Sequence, residues 1–124
     1  MIVVAAIIER GGWILLSQRA RGAMPGLWEF PGGKREEGES DADALRRELA
    51  EELGLELDAS AVGARVWRER NGAIELRFLR CAYPERARPR PLDCAQFRWV
   101  RRSDLHGYRF PPADRRLVAA LSKG

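Results

Sequence analysis

Glu48, Glu51 and Glu52 lie within one short stretch, Arg47-Glu48-Leu49-Ala50-Glu51-Glu52. On a helix, at about 100° per residue, the three carboxylates cluster on one face. Their mutual repulsion costs an isolated helix roughly a few tenths of a kcal/mol per pair. A hard divalent cation such as Mg²⁺ offsets that cost, because it takes carboxylate and carbonyl oxygens and completes its shell with water and substrate phosphates. The bland alternative for a bare Glu-x-x-Glu-Glu is a solvated acidic face.

The surrounding sequence favours the metal. Residues 32 to 55, GGKREEGESDADALRRELAEELGL, resemble the signature of the Nudix hydrolases, G-x5-E-x7-R-E-U-x-E-E-x-G-U with U aliphatic. Gly33, Glu39, Arg47, Glu48, Leu49, Glu51, Glu52, Gly54 and Leu55 fill every position, a coincidence on the order of one in ten million at ordinary residue frequencies. The resemblance implies an α+β Nudix fold, a mixed sheet sandwiched between helices, with a loop-helix-loop packed on it. It also implies hydrolysis of a nucleoside diphosphate linked to some group X, with Mg²⁺ as cofactor and Mn²⁺ as a substitute. Glu51 and Glu52 are then metal ligands, and the glycine backbone lets the Gly32 carbonyl approach the ion. Glu48, one turn from Glu52, either binds metal or takes a proton from the attacking water; both roles stay open. Arg47 can pair with Glu51 one turn on and steady the carboxylates, with Glu39 supporting the site from near the helix start.

The flanks extend the resemblance to the MutT-like branch, which cleaves nucleoside triphosphates to monophosphate and pyrophosphate. VVAAIIERGGWILLSQR, LWEFPGGK and FPPAD are similar to MutT-like triphosphatases, including bacterial CTP pyrophosphohydrolases. Arg19 matches a phosphate-contacting arginine, and Lys34 joins it among the implied substrate contacts. Asp93 matches a loop glutamate that reaches the metal, but is shorter by one methylene, so direct ligation and help through a water are both open. Asp114 occupies the position set against the base. An ionised aspartate only accepts hydrogen bonds, which suits the N1-H and N2-H donors of guanine, whereas cytosine offers one donor beside an acceptor. A protonated Asp114 would suit cytosine, and a helix-cap role fits either base. Phe30, Phe78 and Trp67 are candidates for the base pocket, with core packing as the competing role.

These residues need a scaffold. Ser40 caps a helix over Asp41 to Leu53, with Asp43 in capping-box position and Gly54 terminating it; Ala42, Leu45, Leu49 and Leu53 form its apolar stripe. The apolar run Ile2 to Ile8, the turn Glu9 to Gly12 and Trp13 to Gln18 predict a hairpin with one well-buried strand. Arg19 to Gly26 is a loop and Leu27 to Phe30 a short strand. Val62 to Glu69 and Ala73 to Tyr83 flank the Asn71-Gly72 turn as antiparallel strands. A basic loop, Pro84 to Pro91, leads to a strand at Phe97 to Val100 and a helix over Asp114 to Leu121. The irregular alternation argues against a doubly wound parallel sheet.

The 124 residues suit a single domain over 1 to 124, with 45% hydrophobic residues for its core. Ile2 to Ile8 is too short for the roughly 20 residues of a membrane span and lacks the features of a secretory signal. Cys81 and Cys94 have no metal-site spacing, so a reducing cytoplasm fits best. A net charge of +4 suits a nucleotide partner as well as it suits a solvated arginine-rich surface. A nucleotide substrate is expected, with no membrane partner, no stable nucleic-acid partner, and a monomer or homodimer. The leading substrate is an oxidised purine such as 8-oxo-dGTP, with CTP or dCTP as the alternative; ADP-ribose, dinucleoside polyphosphates and capped ends are also open. The competing class is a non-catalytic MutT-like domain that binds nucleic acid. His106 lies outside every motif.

Overall fold

The computed structural model describes residues 1–22 and 24–123. Strands β1 (Ile2–Arg10), β2 (Trp13–Gln18), β3 (Trp28–Glu29) and β4 (Gly32–Lys34) precede helix α1 (Asp41–Leu53). Strands β5 (Val62–Asn71), β6 (Ile74–Cys81) and β7 (Gln96–Arg101) follow, and helix α2 (Arg115–Lys123) comes last. Short 3₁₀ turns occupy Ala59–Ala61, Arg102–Gly107 and Pro112–Asp114.

The sheet runs β3-β2-β1-β6-β5, with β4 paired to β1 and β7 to β2. Among the described residues only the β1–β6 pair is parallel, with Ile2 facing Glu75 through to Ile8 facing Cys81; the other pairs are antiparallel, so the sheet is mixed. The continuous apolar run of β1 follows from burial on both faces. Val4, Ala6 and Ile8 enter the core beneath α1, while Ala5 and Ile7 enter the core beneath α2. The sheet therefore lies between the two helices, as the Nudix resemblance implies.

Ser40 accepts from the Asp43 amide at 3.1 Å, and Gly54, left-handed at φ 65°, returns its N–H to Ala50. The cap and stop thus stand where the sequence puts them. The apolar stripe differs by one residue: Ala44 is buried with Leu45, Leu49 and Leu53, and Ala42 is only partly covered. The β1–β2 hairpin is shorter than expected, because only Glu9 and Arg10 pair with β2. The start of β1 instead pairs with β4, whose three residues Gly32, Gly33 and Lys34 the glycine-rich sequence disguises as loop. Asp114 ends a 3₁₀ turn instead of opening α2.

The C-terminal end of α1 is stapled by a distant loop. Arg90 N–H bonds the Leu53 carbonyl at 2.8 Å, and the amides of Leu92 and Asp93 both reach the Glu52 carbonyl, at 3.0 and 3.1 Å. These bonds satisfy carbonyls that a helix end leaves without partners. Among the described residues, no helix is long and apolar enough to cross a membrane.

Candidate active site

The acidic face of α1 meets the glycines of β4 along one edge of a recess of about 570 Å³. A Cβ at Gly32 would overlap the Val4 backbone carbonyl, so that position requires glycine; one at Gly33 would overlap only the Glu48 carboxyl, which can be pushed aside. Gly33→Ala is therefore expected to displace Glu48 while leaving the fold intact. A shift on the order of 1 Å can cost about 100-fold in rate, so kcat should fall at least tenfold, with circular dichroism unchanged.

Glu48 and Glu52 both line the recess. Burial raises the Glu48 carboxyl above its ordinary range, against the opposing hydrogen bond from Arg47. Burial pushes Glu52 up to about 7, opposed by a hydrogen bond from Ser17 and reinforced by the charge of Glu29. Ser17 Oγ donates to Glu52 Oε1 at 2.6 Å, and both residues are buried. Arg47 ties the face together: Nε donates to Glu39 at 2.8 Å, Nη1 to Glu48 at 3.0 Å, and Nη2 to the Lys34 carbonyl at 3.0 Å. Its hydrogen bond holds Glu39 down to about 2. Glu51 is the exception, lying outside the recess with its side chain 57% exposed and reached by Arg47 at 3.4 Å.

Among the described residues, no three acidic, histidine or cysteine side chains already converge tightly enough to hold a metal ion. The donor chemistry nevertheless fits a hard divalent cation. Glu48 and Glu52 present carboxyl oxygens to one recess beside the Gly32 backbone, where burial disfavours their ionised forms and a bound cation would favour them. The exposed Glu51 carboxylate can leave Arg47 at little cost, since exposed ion pairs are worth about 0–1 kcal/mol. Asp93 borders the same recess but is exposed and paired with Arg21.

The other candidates sort clearly. Arg19, Lys34, Phe30, Phe78 and Asp114 line the recess, and Trp67 does not. Trp67 packs against the α2-side core and donates Nε1–H to Glu69 at 3.1 Å. Phe30 and Phe78 serve both roles, meeting edge-to-face at 5.8 Å within the core while bordering the recess. Arg19 donates to Glu29 at 2.8 Å. Asp114 is 5% exposed, and burial pushes its carboxyl up to about 7 with help from the charge of Glu29. Among the described residues no hydrogen bond reaches that carboxyl.

Ser17 and Glu29 were absent from the expected set. They are cross-strand neighbours on β2 and β3, with Ser17 bonded to Glu52 and the charge of Glu29 acting on both Glu52 and Asp114. The available signal was a lone hydroxyl closing the apolar run Ile14-Leu15-Leu16, and a carboxylate between Trp28 and Phe30. His106 borders a separate recess shared with Arg109 and Arg115.

Known proteins share this architecture. A solved structure of MutT, from work on Aliivibrio salmonicida and Vibrio cholerae, superposes with a TM-score of 0.82 at 30% identity, covering 98% of this chain and 95% of that one. The fold is thus of the MutT class. The sequence model of the NUDIX domain matches residues 1–121, and the chain belongs to the Nudix family of hydrolases. A Mycobacterium tuberculosis protein provisionally named 8-oxo-dGTP diphosphatase 2 is 44% identical over 98% of this chain and 88% of its own length. The CTP pyrophosphohydrolase of Escherichia coli K12 is 56% identical over 73 residues, which is 58% of this chain and 54% of that protein.

Proposed function

We propose that this hydrolase cleaves (deoxy)nucleoside triphosphates to monophosphate and pyrophosphate with Mg²⁺, and that oxidised guanine nucleotides such as 8-oxo-dGTP are its substrates. One observation carries this assignment. A single recess holds Glu48, Glu52 and Gly32 together with the buried Asp114 beside Phe30 and Phe78. A recess of that kind offers both a phosphate-cleaving end and a base-reading end. The name of the M. tuberculosis relative supports the oxidised guanine, and that of the E. coli relative supports a cytidine nucleotide as the second choice.

Gly32, Glu48, Glu51 and Glu52 would hold the Mg²⁺, with Asp93 joining directly or through a water. When bound, the ion neutralises phosphate charge and acidifies a coordinated water. The protein does the rest. Glu48 Oε1 is engaged by Arg47, which leaves Oε2 either to join the ion or to take the proton of the attacking water. Arg19 and Lys34 bind phosphate oxygens, with Glu29 fixing the direction of the Arg19 guanidinium. Phe30 and Phe78 border the base, whose edge meets Asp114. Cys81 is a buried thiol and takes no part.

Asp114 makes base choice depend on pH. Above about 7 it is ionised and accepts from N1-H and N2-H of guanine; below about 7 its proton can be donated to cytosine. The ratio of kcat/KM for the guanine over the cytosine nucleotide should rise about tenfold between pH 6 and 8, the worth of one hydrogen bond of about 1.4 kcal/mol. In Asp114→Asn the ratio should not move, because the amide does not titrate. Rates over 8-oxo-dGTP, dGTP, CTP, dCTP and ADP-ribose test the whole assignment. A band shift on DNA at physiological salt with no hydrolysis of any of them would replace it with the nucleic-acid-binding alternative.

A further inference from the structure

Ser17 lies at the centre of the molecule and is fully buried in strand β2. A buried hydroxyl needs a partner, since leaving it unsatisfied costs about 1–3 kcal/mol. Its partner is Glu52, 35 residues away on α1, at 2.6 Å. The carboxylate is therefore tied to the sheet, although it is carried by the helix. Glu51, next to it, has only an exposed contact to Arg47 and no such support.

We infer that Ser17 is a positioning residue: its hydroxyl sets the direction of the Glu52 carboxylate and thereby the affinity of the divalent-cation site. The inference rests on the proposal that Glu52 is a metal ligand. An oxygen already bound by Ser17 restricts how the carboxylate can turn, and rotation about the long glutamate side chain is otherwise costly to freeze. Groups that orient metal ligands through one hydrogen bond typically change affinity by about 10–100-fold when removed. The bond also passes directly from β2 to α1, so the sheet fixes the site without relying on the loop between them.

The test is Mn²⁺ binding to the metal-free full chain, read by electron paramagnetic resonance without nucleotide, for wild type, Ser17→Ala, Ser17→Thr and Glu52→Gln. Ser17→Ala removes one oxygen and should stay folded, which thermal melting checks. Its Kd for Mn²⁺ is expected to rise about 10-fold or more, with Ser17→Thr restoring most of the affinity. In steady state with saturating metal, Ser17→Ala should lower kcat with little change in the KM for nucleotide. Adding Ser17→Ala to Glu52→Gln should cost no further Mn²⁺ affinity, because Glu52→Gln has already removed the charged ligand that Ser17 directs. Wild-type Mn²⁺ affinity in Ser17→Ala, alongside loss in Glu52→Gln, overturns the inference alone. Equal loss in Ser17→Ala and Ser17→Thr also overturns it, by assigning the effect to packing. Wild-type affinity in Glu52→Gln would overturn the metal assignment itself.

Discussion

Glu52→Gln is expected to lower kcat for nucleoside triphosphate cleavage by about two to four orders of magnitude, with the folded structure retained. The substitution keeps the shape and the oxygen that Ser17 reaches, and removes only the charge. Glu48→Gln should fall in the same range, because Glu48 shares the recess with Glu52 and is proposed either to bind the ion or to take a proton from water. Glu51→Gln should also be strongly impaired, although for another reason: it must leave Arg47 to reach the ion. A pyrophosphate-release assay with Mg²⁺ in excess measures all three. Unchanged rates in Glu52→Gln and Glu51→Gln would end the metal-site assignment. The stability of Glu52→Gln should instead increase in the metal-free protein, because a buried charge without full compensation has been removed.

The metal-free protein should be more stable at pH 5.5 than at pH 8. Glu52 and Asp114 both titrate near 7 when folded, against ordinary values of 4.5 and 3.8. Between those limits the folded chain holds protons that the unfolded chain has released. Stability is thus present at low pH and lost as pH rises through about 4 to 7. Each pKa unit corresponds to about 1.4 kcal/mol, so the two carboxyls together account for several kcal/mol, or on the order of 10 °C in Tm. Glu9, Glu39 and Glu75 are shifted downward by arginine hydrogen bonds, and their contribution is lost only below their ordinary range. Maximum stability should therefore fall near pH 5. Adding Mg²⁺ should raise Tm more at pH 8 than at pH 5.5, since the cation needs ionised ligands. Calorimetry with and without chelator gives both slopes; a Tm that climbs from pH 5.5 to 8 without metal would contradict the burial of these carboxyls.

Much of the site was legible in the chain because its parts are local. Ser40, Asp43 and Gly54 mark the ends of α1 within one turn of themselves, and the spacing of Glu48 and Glu52 puts them about 40° apart on a helix. Glu51 stands about 60° to the other side of Glu48, which is why the structure leaves it outside the recess while the sequence groups all three. What remained hidden depends on distant partners. Nothing near Ile2 announces a parallel pairing with β6 more than 70 residues later, or that Gly32–Lys34 completes a strand. Ser17 resembles any polar residue at a strand end until α1 is laid across it. Trp67 carried the right chemistry for a base pocket, and strand register sets it opposite Phe78 on the same face, but it packs against the α2-side core outside the lining of the recess.

The staple between the basic loop and the end of α1 has a consequence for how such a protein can be altered. Arg90, Leu92 and Asp93 are moored by their amides to the carbonyls of Leu53 and Glu52, whereas residues 84 to 89 are bound to no part of α1 by their backbone. A length change confined to residues 84 to 89 would spare those bonds and leave Glu52 in register, so long as Ala87 keeps its packing against the core and the bond its carbonyl accepts from Tyr83. The same change made three residues later would drag on Glu52 itself. The molecule thus separates a stretch open to exchange from one that is mechanically part of its engine, and the border falls at Arg90.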